Sequence, residues 1–310
     1  MLRFIASRIL QSIAVLFCIL TITFFLIRMA KGGPFLNEKS IPEHIVAKMN
    51  AYYGLDQPLI VQYFKYMRNF IQLDLGPSLA NKGYTVNEII AESFPISAAI
   101  GVGGLIIALL VGIPIGVVAA WRRNTMLDYA PMGVAMIGIC LPTFVLGPLF
   151  ATIFGLKLGW FAAAGWWNPA TDWVLPALTL GLFYGGYIAR ITRGGMLDVL
   201  SQDFIRTAQA KGLPAWRILV FHSLKGGLLP VVSYLGPAVA GLIGGSFVME
   251  TIFQLPGLGK HFINAASNRD YTLIMGTVAT FGVLILVMNF LSDVIQILLN
   301  PRLRGGSKTN

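Results

Sequence analysis

The 310 residues hold few groups that could carry chemistry: 3 histidines, 2 cysteines and 13 acidic side chains. Cys18 and Cys140 both fall inside apolar runs, which argues against a disulfide and says nothing of redox compartment. His44, His222 and His261 lie far apart and are expected in loops. No HExxH pair, nucleophile elbow or metal-ligand spacing occurs. An intramembrane hydrolase would need a nucleophile–base pair within the spans, and these histidines supply none. Charge within the apolar runs is scarce as well. Asp293 is the one acidic residue expected inside a span, whereas ion-coupled transporters need buried carboxylates or histidines along the ion path. The stretch Gln254-Leu255-Pro256-Gly257-Leu258-Gly259-Lys260-His261 approaches a P-loop. It has Gln254 in place of the first glycine and lacks a Ser or Thr after Lys260, so no ATP site is expected.

What the chain has in abundance is apolar sequence, 56% of residues against 12% charged, with a mean hydropathy of +0.73. Crossing a bilayer takes about 20 apolar residues, and six runs approach or exceed that. They are Ile9–Ile27, Pro95–Ala120, Tyr129–Phe154, Val174–Ala189 (which is short), Leu228–Val248 and Thr272–Leu299. The sequence therefore predicts an all-α polytopic membrane protein with six transmembrane helices. Arg28-Met29-Ala30-Lys31 offers no small-x-small cleavage site, so the first run is expected to stay as an uncleaved span.

Three regions follow: a first transmembrane helix over 1–29, an outer helical cap over 30–94, and a core of five further spans over 95–310. Helices are expected in the cap over Pro42–Tyr53 and Pro58–Leu73. A third is expected after Thr85, where Glu88 completes a capping box. Net charge is +10. No soluble basic run is interleaved with aromatics, which excludes nucleic acid as the partner. Topology accounts for the charge instead. With both termini in the cytoplasm, 13 basic and 4 acidic residues lie inside, against 10 and 9 outside. That asymmetry follows the positive-inside rule. Trp160, Trp166, Trp167 and Trp173 form an expected interfacial belt on the outer side.

The longest polar interruption of the second half is Arg190–Pro230. It is expected to read helix, turn, helix: Ser201 as a cap, Phe204, Ile205 and Ala208 on one apolar side, and Lys211 in the last turn. Gly212 then supplies a left-handed stop, and Pro214 opens the next helix. Small-xxx-small pairs, Gly112/Gly116, Gly181/Gly185 and Gly241/Gly245, allow spans to approach closely.

Phe204-Ile205-Arg206-Thr207-Ala208-Gln209-Ala210-Lys211-Gly212-Leu213 resembles the cytoplasmic signature of ABC importer permeases in their peptide and nickel branch. Arg206 stands where the general signature is acidic, and Leu229-Pro230 lies further downstream. Glu250, Leu255-Pro256-Gly257-Leu258-Gly259 and Arg269-Asp270-Tyr271 are similar to that family's outer loop. Tyr53-Gly54-Leu55-Asp56-Gln57-Pro58 and Asp74-Leu75-Gly76-Pro77-Ser78 are similar to its outer segment, where Leu73 replaces a frequent glycine. The chain looks most like the first, B-type permease subunit of oligopeptide importers.

That resemblance implies a type I ABC importer permease fold, N-in/C-in, in the inner membrane. Loop 190–227 would then carry a coupling helix, with Phe204, Arg206, Thr207, Ala208, Lys211 and Gly212 docking to an ATPase. Glu250, Pro256, Gly257, Gly259, Arg269 and Asp270 would form the outer motif. The implied partners are a second, C-type permease, two ATP-binding subunits holding ATP and Mg, an outer solute-binding protein, peptide substrate and lipid. This chain itself would carry no cofactor and hydrolyse no ATP. Permeases for dipeptides, glutathione or nickel share the signatures and stay open as alternatives.

Overall fold

The computed structural model describes residues 2–29 and 43–299. In order, its helices are α1 (Leu2–Met29), α2 (Glu43–Tyr53), α3 (Leu59–Ile71), α4 (Val86–Trp121), α5 (Met126–Cys140) and α6 (Thr143–Phe150). A π-helical turn over Ala151–Lys157 extends α6. Then come α7 (Val174–Leu200), α8 (Asp203–Ala210), α9 (Ala215–Arg217), a π-helical stretch over Ile218–Ser223 and α10 (Leu224–Gly227). The chain continues through α11 (Leu229–Ile252), α12 (Leu258–Asn268) and α13 (Tyr271–Leu299).

Among the described residues, five helices are long and apolar enough to cross a membrane, and the bent pair α5–α6 makes a sixth if counted as one span. The third expected span is thus not straight. Its two halves meet at 102°, because Pro142 pushes Leu141 into extended backbone (φ −81°, ψ 120°) and the helix cannot run through it. Other boundaries move as well. The Thr85–Glu88 capping box forms in both directions, at 2.9 and 3.2 Å, but it starts the second span itself rather than a separate cap helix. The short fourth span runs on to Leu200, absorbing Arg190 and Arg193. The fifth extends to Ile252 and so includes Glu250. Pro42 and the basic tail residues Arg302, Arg304 and Lys308 lie outside the described residues.

The chain divides into two compact units, Ser97–Leu255 with Ile285–Asn310, and Leu2–Ile96 with Pro256–Leu284. In the first, α4 and α7 cross along glycine. A Cβ on Gly112 would sit 2.6 Å from the Gly185 carbonyl oxygen, and one on Gly116 would sit 2.5 Å from that of Ala189. Ala108, Ile188 and Val231 pack beside this crossing. The second unit has an aromatic and aliphatic core. Phe24 of α1 meets Tyr63 of α3 edge-on at 5.3 Å, with Met275 of α13 buried against them. Val86, Ile89, Ala265, Leu273 and Ile274 form a second cluster there.

Candidate functional site

The segment 190–227 is helical almost throughout. Ser201 does not cap α8. Its hydroxyl donates back to the Asp198 carbonyl at 2.8 Å, and Gln202 holds the N-cap position instead. Ile205 (1% exposed) and Ala208 are buried against Ile218, with Leu200 and Leu213 alongside. Phe204, expected on that apolar side, is 46% exposed. An eight-residue helix seated through two buried positions has no room for a third neighbour on the same face.

The end of α8 is a Schellman stop. Leu213 N–H donates to the Ala208 carbonyl at 3.3 Å and Gly212 N–H to that of Gln209 at 2.9 Å, while Gly212 sits at φ +71°. Leu213 packs back on the Ile205–Ala208 cluster, the apolar contact that accompanies this motif. Pro214 then precedes α9 at φ −66°. Of the predicted docking residues, Phe204, Arg206, Thr207, Lys211 and Gly212 are exposed and Ala208 faces inward. Arg206 makes only a loose, exposed ion pair with Asp203 at 3.6 Å, which contributes little to stability. The knob is bound to the end of α7 by close backbone contact: a Cβ on Gly195 would come within 2.3 Å of the Gly227 carbonyl oxygen.

One pair was not legible in the sequence. Asp128, 1% exposed in the first turn of α5, accepts Arg193 Nε at 2.6 Å and a second guanidinium N–H at 2.8 Å. It also accepts the Asn124 N–H at 3.0 Å. This fork ties α5 to α7 just before the knob. Arg193 therefore serves packing, although charge counting groups it with the docking loop. A separation of 65 positions leaves no local signal for the pairing. An isolated Asp at one span end and an isolated Arg at another are the visible hint.

The outer-motif residues divide between the two units. In the first, Glu250 is fully buried near the end of α11 and accepts the Ser97 hydroxyl at 2.7 Å. Asp293 is therefore not the one acidic residue within the spans, since Asp128 and Glu250 are buried there too. In the second unit, Gly257 is the N-cap of α12 and Gly259 is buried in its first turn, while Pro256 is exposed. Arg269 ends α12 in the left-handed region (φ 56°). Asp270 then caps α13, its Oδ1 accepting the Leu273 N–H and the Thr272 hydroxyl at 3.0 and 2.9 Å. Its Oδ2 accepts the Ser78 hydroxyl and the Ala80 N–H. One carboxylate thus joins α13 to the segment before α4, which accounts for an acidic residue at that place. The three histidines stand in helical segments between the candidate spans and in none of the spans themselves. His222 Nδ1 lies 3.2 Å from the Arg217 carbonyl. Burial, and then the Lys260 charge, hold the His261 imidazole below its ordinary value.

Residues 112–305 match the family described as binding-protein-dependent transport system inner membrane component, and 1–101 match its N-terminal region. The chain belongs to this family of inner-membrane transport components. It is a multi-pass permease of a binding-protein-dependent system. It is 45% identical to the oligopeptide transport system permease protein OppB of Salmonella typhimurium, over 98% of this chain and all of that one. It is 41% identical to the dipeptide transport system permease protein DppB of Bacillus subtilis, over 98% of each. The fold is similar to that of the MetNI methionine ABC transporter in an inward-facing form. That match has a TM-score of 0.58 at 18% identity and covers 68% of this chain and 96% of the other.

Proposed function

We propose that this permease is one of two membrane subunits of an ATP-driven importer for oligopeptides, oriented N-in/C-in. In this reading it forms half of the translocation path and docks through α8 to one of two ATP-binding subunits. The observation that carries the docking role is the division of α8: Ile205 and Ala208 hold it to the protein while Phe204, Arg206, Thr207 and Lys211 are turned outward. A helix whose only purpose was to carry positive charge would need neither the buried seat nor the left-handed stop. ATP and Mg belong on the partner subunits, and this chain needs no cofactor of its own. Full-length similarity to an oligopeptide permease supports the substrate class. The dipeptide permease at 41% identity is the specific ground for a second reading, a dipeptide importer.

Alternating access requires ATP and the loaded binding protein to favour different states of the pore. Moving a two-state equilibrium from 1:99 to 99:1 takes about 5.5 kcal/mol, so the element that transmits it must be rigid. A β-branched residue at φ +71° is strained by roughly 1–3 kcal/mol, which bends the stop without touching any span. Gly212→Val is therefore expected to insert normally yet lose peptide uptake and the stimulation of ATP hydrolysis by loaded binding protein. Lys211→Ala, which keeps the helix, is expected to do much less. Coupled transport by Gly212→Val at the wild-type rate refutes the docking role.

A further inference from the structure

The unit containing α1–α3 holds a cavity of about 280 Å³, lined by no residue of α8. Arg28, Gln62, Lys65, Tyr66, Asn69 and Asp74 line it. Arg28 stands in the last turn of α1 and is held from one side. Its Nε donates to Gln62 Oε1 at 3.0 Å, and Gln62 is itself fixed by donating to the Leu55 and Gln57 carbonyls at 3.1 and 2.8 Å. The guanidinium carbon lies 3.6 Å over the Phe24 ring. This arrangement leaves Arg28 Nη1 buried with no hydrogen-bond partner among the described residues, and the Tyr66 hydroxyl is buried and unpartnered in the same way.

Leaving a buried donor unsatisfied costs about 1–3 kcal/mol, more when it is charged. Two such donors, on residues that line one cavity, call for an acceptor from outside the described fold, reached by a small turn of either side chain. Burial holds the Tyr66 phenol protonated well above neutral pH, so its O–H keeps a proton to donate there. Two donors beside Lys65 match the two oxygens of a carboxylate. A phosphate dianion brings more acceptors than these donors satisfy and would also meet the Asp74 carboxylate on the lining. Asp74 instead suits a solute that carries a positive charge as well. Tyr52 and Tyr53 complete the lining with aromatic surface, and the volume is near the lower end for small-ligand pockets.

We propose that this cavity binds the C-terminal carboxylate of a short zwitterionic peptide through Arg28 and Tyr66, an inference that rests on the peptide-import reading. The assembled transporter in nanodiscs, without binding protein, would be titrated calorimetrically with trialanine, trialanine amide and inorganic phosphate. Saturable trialanine binding is expected, weakened about tenfold or more in Arg28→Gln and in the gentler Tyr66→Phe. Neither the amide nor phosphate should displace it. Unchanged affinity in Tyr66→Phe, equal binding of the amide, or displacement by phosphate overturns the proposal. Uptake assays with binding protein separate the two readings. Trialanine uptake without saturable binding removes the cavity site and leaves peptide import standing, whereas loss of both removes both.

Discussion

Helix endings show how single residues set this fold. The helices ending at Tyr53, Ile71, Ala210, Ile252 and Asn268 each close with the same pair of backbone hydrogen bonds, made by the residue in left-handed conformation and the one after it. Glycine fills that position at Gly54 and Gly212, but Leu73, Gln254 and Arg269 fill it elsewhere at φ 58°, 52° and 56°. Gln254, the place where the near-P-loop lacks its glycine, is thus a helix stop and not part of a phosphate cradle. Leu73 explains a departure visible in the sequence, since the frequent glycine of related outer segments sits where the backbone is left-handed. Its side chain is 76% exposed, and its carbonyl is held by the Asn87 side chain at 2.7 Å, so little packing depends on the leucine. A left-handed L-residue costs about 1–2 kcal/mol, and glycine gives back roughly 0.5–1 kcal/mol as chain entropy. Leu73→Gly is expected to raise the melting temperature slightly, with uptake unchanged. A clear drop in thermal denaturation would contradict this account of the stop.

Between elements, close approach dominates. Each small-xxx-small pair was readable along its own helix, but nothing in one helix names its partner. The structure sets Gly112 and Gly116 of α4 against the Gly185 and Ala189 backbone of α7. The close approach that these glycines allow is therefore used at that seam. A Leu side chain at Gly116 would need space already taken, because the Ala189 carbonyl oxygen and Thr192 Cβ both lie 2.5 Å from where its Cβ would stand. Overpacking of this kind costs about 1–3 kcal/mol. Gly116→Leu is expected to lower the unfolding temperature of the purified complex, whereas Gly101→Ala on the same helix, with nothing within 4 Å, should leave it unchanged or raise it. Equal behaviour of the two variants would show that the crossing does not depend on this contact. The spans, the capping box and the Gly212 stop were legible because each depends on neighbours in sequence. The Asp128–Arg193 fork, the Ser97–Glu250 contact and the Asp270 clasp join residues 65, 153 and 190 or more positions apart, beyond what periodicity or capping patterns record. The bend in the third span lies between these cases. Pro142 was plain to see, but the 102° angle depends on what each half packs against.

For the whole molecule, the charge distribution gives a definite expectation of which side each surface faces. With both termini inside, the net charges of the two faces are +9 and +1, and +4 of the inner charge falls on the segment 190–227 that carries α8. Lys and Arg resist translocation, so inverting the protein would send Arg206, Lys211, Arg217 and Lys225 across the bilayer together. The same orientation puts Asn81 and Asn168 outside and Gln209 inside, and all three are exposed. Cys18 and Cys140 would first be replaced by serine, since both are exposed on their helices. Asn81→Cys and Asn168→Cys, made singly, are then expected to react with a membrane-impermeant maleimide in intact spheroplasts. Gln209→Cys should react only after permeabilisation. Labelling of Gln209→Cys in intact spheroplasts would place α8 on the face away from ATP, and the docking role would fall together with the orientation.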